Sequence, residues 1–208
     1  MARLDRRERE RAEFRDEVLT AARKIVLEDG FDALTMRKIA DAIEYAPGTI
    51  YLYFESRDAI AFELCRAGFD AFLAALLPAA SVKDPVKRLR ELGRLYVKFG
   101  LENPGTYRLI FMEDPKYASE AFQEQAETED SPGKQALAIL ATLFTELREK
   151  KILKSRADPM ALAEMMWAGV HGIVSLKITY HHHPQTDAEE LMTVMTDALL
   201  NGLVKGAA

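Results

Sequence analysis

Apolar positions along this chain recur at helical spacing, and strand-like alternation is almost absent. Phe14, Val18, Ala21 and Ile25 fall at i, i+4, i+7 and i+11, a stripe that ends at Gly30, a residue suited to a left-handed C-cap. The spacing predicts a long first helix. Thr35 can then accept hydrogen bonds from the free amides of a second helix, whose inward face is Ile39, Ala40 and Ile43. Pro47 fits the first turn of a third helix, where its missing amide hydrogen would have had no partner. Ser56 caps a fourth helix that reaches about Leu77, before Pro78.

One device recurs downstream. Asp84 with Pro85, Ser131 with Pro132, and Asp158 with Pro159 each pair a capping side chain with a proline at the first helical position. The first of these helices runs to Asn103 and Pro104, which turn the chain into a short helix through Tyr107, Leu109 and Phe111, itself ended near Asp114 and Pro115. The polar stretch "KYASEAFQEQAETEDSPG" reads as a loose helix or a connection. Thr186 with Glu189 matches a capping box for a last helix carrying Leu191, Val194, Met195, Ala198, Leu199 and Leu203. The fold class predicted is all-α, with about nine helices.

Length and composition narrow the function classes. With 208 residues, 49% of them hydrophobic, the chain can bury a substantial core. No run of about eighteen apolar residues suggests a membrane span, and the amino terminus is charged where a secretory signal would be apolar, so a cytoplasmic location is expected. The single cysteine, Cys65, can form neither an internal disulfide nor a cysteine cage for a metal, and its apolar neighbours mark it as core filler. The formal charge of −5 provides no global basic field, which leaves only local patches for an anionic partner. Residues 1 to 11 hold five arginines against Asp5, Glu8 and Glu10, an excess of two. That segment reads either as a solvated start of the first helix or as an arm for the minor groove.

The stretch "TMRKIADAIEYAPGTIYLYFESRDAI" holds two short helices joined by a corner of about three or four residues. Neither can bury much alone, so they need a third helix at their back, and the first helix supplies it. The arrangement projects the last short helix outward, at a diameter that fits the DNA major groove. Gly48 lets backbone approach a duplex, Thr49 offers a hydroxyl and a methyl, and Ile50 and Phe54 pack inward. Tyr51 and Tyr53 can reach phosphates through their hydroxyls, and Arg37, Lys38 and Arg57 through charge. A small helical subdomain with ordinary surface polar residues fits the periodicity equally well.

From about Phe14 to Leu64 the chain resembles the DNA-binding domain of the TetR family of transcriptional regulators, through "AARKIVLEDGFDALTMRKIADAI", "PGTIYLYF" and "SRDAI". The resemblance implies a helix-turn-helix domain over residues 1–55, with Pro47 opening the recognition helix. It implies Gly48 and Thr49 near bases, and Thr35, Lys38, Tyr51, Tyr53 and Arg57 at the DNA backbone. The chain departs from the family pattern at the corner, with Glu44 where glycine is usual, Tyr45 where a small aliphatic is usual, and Ala46 where serine or threonine caps the helix. A non-glycine residue at positive φ costs on the order of 1 kcal/mol, so a changed corner geometry is the expectation. Glu55 stands where a basic residue is common.

Residues 56–208 need a role beyond DNA reading, and sensing with dimerisation is the expectation. The stretches "YVKFGLENPGTYRLIFMED" and "WAGVHG" together resemble a branch of TetR ligand domains with a Trp-x-Gly-x-His-Gly signature, carried by Trp167, Gly169, His171 and Gly172. The glycines allow close helix approach or a cavity beside Trp167 and His171. Tyr96, Phe99, Tyr107, Phe111, Met112 and Met166 are candidates to wall it, although aromatics and methionines at helical spacing also build ordinary core. "MALAEMMWAGVHGIVSLKI" and "LMTVMTDALLNGLV" carry more apolar surface than one core-facing side requires, which suggests a partner; the resemblance implies a homodimer through these two helices. His181, His182 and His183 read as a polar turn rather than a metal site. No nucleophile elbow, phosphate loop or HExxH is present, so no enzyme and no cofactor are expected. The expected partners are double-stranded DNA with a palindromic operator and a small-molecule effector; the rival reading is a helical small-molecule carrier without specific DNA binding.

Overall fold

The computed structural model of the chain describes residues 2–113, 132–180 and 185–205. Nine α-helices and no strand are present among them. In chain order they are α1 (Ala2–Asp29), α2 (Met36–Ala42), α3 (Pro47–Ile50), α4 (Arg57–Leu76), α5 (Pro85–Glu102), α6 (Pro104–Phe111), α7 (Pro132–Glu149), α8 (Pro159–Thr179) and α9 (Ala188–Leu203). Short 3-10 turns cover Phe31–Ala33 and Leu77–Ser81. No described helix is long and apolar enough to cross a membrane.

The residues form two compact units. One comprises the chain through Gly68 together with the segment beginning at Arg108, and the other Phe69–Tyr107 with the C-terminal remainder. In the first, α1 packs against α2, and α2 against α3. Its core is Phe14, Val18, Ala22, Ile25, Ile39, Ala40, Ile43, Ile50 and Phe54, all buried. Ala22 lies fully inside and Ala21 is half-buried, because the buried face is broad and centred between the lines through Val18 and Ala22. Cys65 is buried with its Sγ 3.9 Å from the Leu109 carbonyl.

In the second unit α5 is the central helix and packs against α7, α8 and α9. Close approach rests on small residues. An added Cβ at Gly100 would overlap Val174 and stand 3.0 Å from the Tyr107 ring, and one at Gly169 would stand 2.5 Å from Met195 Sδ. After α7 the chain turns at Lys151 (φ 57), and an antiparallel bridge, Leu153 to Val204, ties it to the end of α9.

The helix starts follow capping chemistry. The Thr35 hydroxyl accepts from Lys38 N at 3.1 Å, Ser56 from Ala59 N at 3.1 Å, Asp84 from Lys87 N at 2.8 Å and Asp158 from Met160 N at 2.7 Å. The expected capping box at Thr186 is displaced by one residue. Asp187 caps α9 by accepting from the amides of Glu189 and Glu190, and these bonds hold its carboxyl below the ordinary aspartate pKa. Ser131 and most of the polar stretch after Lys116 lie outside the described residues, as do His181, His182 and His183. Among the described residues no three of His, Cys, Asp and Glu gather as metal ligands.

Candidate functional site

The first candidate site is the protruding end of the first unit. α2 finishes in a Schellman-type cap, in which Tyr45 N donates to Ala40 O at 3.0 Å and Glu44 takes the left-handed position with φ 59. The corner therefore keeps the positive-φ geometry that glycine would favour, against the expectation of a changed geometry. The strain costs on the order of 1 kcal/mol. The capping bond offsets it, as does Tyr45, which packs edge-on against Phe14 at 5.0 Å between ring centroids.

α3 is a single α-helical turn rather than two, and Ala46 gives it no side-chain cap. Winding continues in tight turns beyond it. Leu52 N donates to Thr49 O at 3.2 Å, Tyr53 N to Ile50 O at 2.9 Å and Phe54 N to Ile50 O at 3.0 Å. Ile50 and Phe54 face inward, while Pro47, Gly48, Tyr51 and Leu52 are exposed and Thr49 is half-buried. The space beyond Gly48 is open, since an added Cβ there would meet nothing within 4 Å.

The candidate contact residues divide. Tyr51 projects, whereas Tyr53 is half-buried, with its ring 4.4 Å from Phe14 and Arg11 5.8 Å over it. Arg37 is exposed with Asp41 at 4.0 Å, Lys38 Nζ pairs with Asp29 at 2.5 Å, and Arg57 Nε bonds Asp58 at 3.1 Å. The Arg37 and Lys38 pairs sit in solvent, where such pairing is weak enough to exchange for another anion, whereas the Arg57 pair is half-buried. Thr35 is committed to capping α2.

Arg15 supports this end of the unit in a way that sequence reasoning missed. Its guanidinium donates to Tyr53 O at 2.5 Å, forms an ion pair with Glu63 and lies 4.1 Å from the Phe54 ring centroid. It thereby joins α1 to the turn after α3 and to α4. The partners lie 38 and 48 residues away, so no local spacing reveals them.

The second candidate site is a string of polar groups inside the second unit. Trp167 Nε1 donates to Tyr96 Oη at 3.1 Å, Tyr96 Oη lies 3.0 Å from Tyr107 Oη, Tyr107 Oη lies 2.6 Å from His171 Nδ1, and His171 Nε2 lies 3.1 Å from Ser175 Oγ. One direction satisfies all four bonds at once, running from the indole N–H through both hydroxyls to Nδ1, with Nε2–H donating to Ser175. Burial pushes the Tyr96 and Tyr107 hydroxyls well above the ordinary tyrosine pKa and holds the His171 imidazole below its ordinary one. Among the expected ligand residues, the structure brings Tyr96, Tyr107, Trp167 and His171 together. Phe99 is buried against Phe72 at 5.3 Å. Met166 lines a cavity of about 20 Å³ with Leu92, Gly93, Tyr96, Leu140 and Val170. Phe111 and Met112 belong to the segment from Arg108 that clusters with the first unit, and Met112 is exposed.

A larger groove, about 350 Å³, lies between α5 and α9, lined by Arg94, Lys98, Leu101, Glu102, Asp187 and Met192 among others. Its mixed charge sets it apart from the apolar site expected. Arg94 donates to Glu91 at 2.6 and 2.8 Å, and that bond lowers the Glu91 pKa.

A short helix pair on a backing helix, followed by a larger helical unit with a polar string in its core, defines an all-α helix-turn-helix protein with a companion domain. Residues 18–64 match the model of bacterial regulatory proteins of the tetR family, and residues 89–199 match the tetracyclin repressor-like C-terminal domain. The chain belongs to the TetR family of transcriptional regulators. It is 30% identical over 83 residues to the HTH-type transcriptional regulator TcmR of Streptomyces glaucescens; the match covers 40% of this chain and 37% of TcmR, well under two thirds of that relative's length. Its fold is similar to that of the fatty acid degradation regulator FadR from Bacillus halodurans (TM-score 0.69, 21% identity, 89% of this chain and 94% of that one). It is also similar to SmeT, the repressor of the Stenotrophomonas maltophilia multidrug efflux pump SmeDEF (TM-score 0.65, 19% identity, 93% and 92%), which has also been solved as a complex with triclosan.

Proposed function

We propose that the chain is a homodimeric, effector-responsive DNA-binding regulator, a repressor released from a palindromic operator by a small apolar or amphipathic ligand. Residues 1–55 read DNA, and residues 56–208 bind the ligand and dimerise. The observation that carries the reading is the outward face of the turn from Pro47 to Tyr51: small or polar outside, sealed inside by Ile50 and Phe54. Gly48 and Thr49 meet base edges, and Tyr51, Tyr53, Arg37, Lys38 and Arg57 contact phosphates. The regulator works without catalysis or cofactor and acts in the cytoplasm, where its DNA is.

The effector enters beside Tyr96, Tyr107, Trp167 and His171, with Phe99 and Met166 as further wall. The Trp167, Gly169, His171 and Gly172 signature supports that location, and the SmeT complex with triclosan supports a small, largely apolar ligand. A cavity of about 20 Å³ holds at most one water, so entry requires side chains to swing aside. Met166 Cε and Met192 Sδ, each 3.4 Å from the Cβ position at Gly93, are flexible enough to do so. α4 runs from one unit into the other and is the covalent path by which ligand binding shifts the reading head. A coupling of about 1–3 kcal/mol is typical of such linkage, and operator must weaken effector binding equally.

The test is selection of duplexes from a random pool by the full-length protein, repeated with triclosan and a panel of neutral amphiphiles. A palindromic consensus whose recovery falls with one of them is the expected result. Ligand binding without enrichment over bulk genomic fragments would mark a small-molecule carrier and overturn the reading.

A further inference from the structure

Leu52 is the most exposed large hydrophobic residue among those described, at 75% of its full surface. It does not sit on a random stretch of surface. The bond from its amide to Thr49 O winds the backbone by a tight three-residue turn, and in such a turn side chains three apart lie one above the other. Leu52 therefore extends the face begun by Gly48 and Thr49, directly after Tyr51, which is also exposed. That face offers no guanidinium, amide or carboxylate, the groups that read guanine, adenine or cytosine edges through paired hydrogen bonds. An aliphatic side chain can discriminate one feature of the major groove, the C5-methyl group of thymine.

We propose that Leu52 is a specificity-determining residue that seats its side chain on a thymine methyl in each operator half-site. The inference rests on the DNA-reading assignment above. Leu52 touches the base directly and supplies selectivity that the phosphate contacts of Tyr51 and the arginines do not.

The experiment uses the full-length protein and the duplex enriched from the random pool, with each thymine replaced in turn by uracil, which removes only the methyl. Binding is measured by fluorescence anisotropy at fixed salt. One thymine per half-site is expected at which uracil weakens the wild type about four-fold, the worth of one buried methyl. Leu52→Ala, which alters an exposed side chain and leaves the core intact, is expected to bind the thymine and uracil duplexes equally. A consensus without thymine, a wild type indifferent to every replacement, or a Leu52→Ala protein that keeps the methyl preference would each overturn the proposal while the regulator reading stands. A pool yielding no enriched duplex would overturn both.

Discussion

His171 holds both of its ring nitrogens against neutral hydroxyls, Tyr107 on one side and Ser175 on the other. Burial disfavours the imidazolium, so its folded pKa lies below the ordinary 6.5. As pH falls through about 6.5 the unfolded chain takes up a proton that the folded chain refuses, so stability present above that pH declines below it, until the folded pKa is reached. The melting temperature of the wild type is therefore expected to fall between about pH 7.5 and 5.5 more steeply than that of His171→Gln. The other three histidines are common to both proteins and cancel in the difference. Parallel melting curves across that range would show that His171 carries no such linkage. The residue types at this string were visible in the sequence as an aromatic and histidine cluster, but their order was not. Tyr107 and His171 stand 64 positions apart, and only tertiary structure fixes which atom meets which.

Element boundaries were legible where one side chain decides them. Thr35, Ser56, Asp84 and Asp158 each cap the helix their position implies, because an oxygen one residue ahead of a helix finds a free amide nearby. The start of α9 was ambiguous in principle: Thr186 and Asp187 are both capping types, and only the backbone path selects Asp187. The corner after α2 departs from expectation for a related reason, since the cost of Glu44 at positive φ is offset by the cap bond and by the Tyr45 contact with Phe14, which no local pattern reveals. Helix approach at Gly100 is likewise non-local. An added methyl there overlaps Val174, a β-branched side chain with little rotameric freedom, and crowds the buried Tyr107 ring. Gly100→Ala should therefore destabilise the protein by about 1–3 kcal/mol, despite the better helix propensity of alanine. Equilibrium urea unfolding measures this, and a gain in stability would mean that α5 and α8 can part at little cost.

For the whole molecule, the decisive question is what covers α8 and α9. Ala161, Met165, Ala168, Gly172 and Leu176 follow one another at spacings of four, three, four and four, which lines up one face of α8, and most of that face is exposed. Leu176 is 47% exposed, and Val194 on α9 is 63% exposed. An apolar helix pair of this kind gains most by packing on its own copy about a two-fold axis, where each patch meets itself. Such a dimer would set two reading heads about 34 Å apart, one turn of duplex. Self-complementarity makes the arrangement sensitive to charge, because one substitution brings two like charges into the interface and leaves both without partners. Leu176→Arg should therefore raise the dimer dissociation constant by at least about 100-fold, seen by light scattering across a dilution series, with helical content by circular dichroism unchanged. Operator affinity should fall with it, since a monomer engages only one half-site and loses the gain of linked binding. A Leu176→Arg protein that stays dimeric at wild-type concentrations would place the interface elsewhere on the chain.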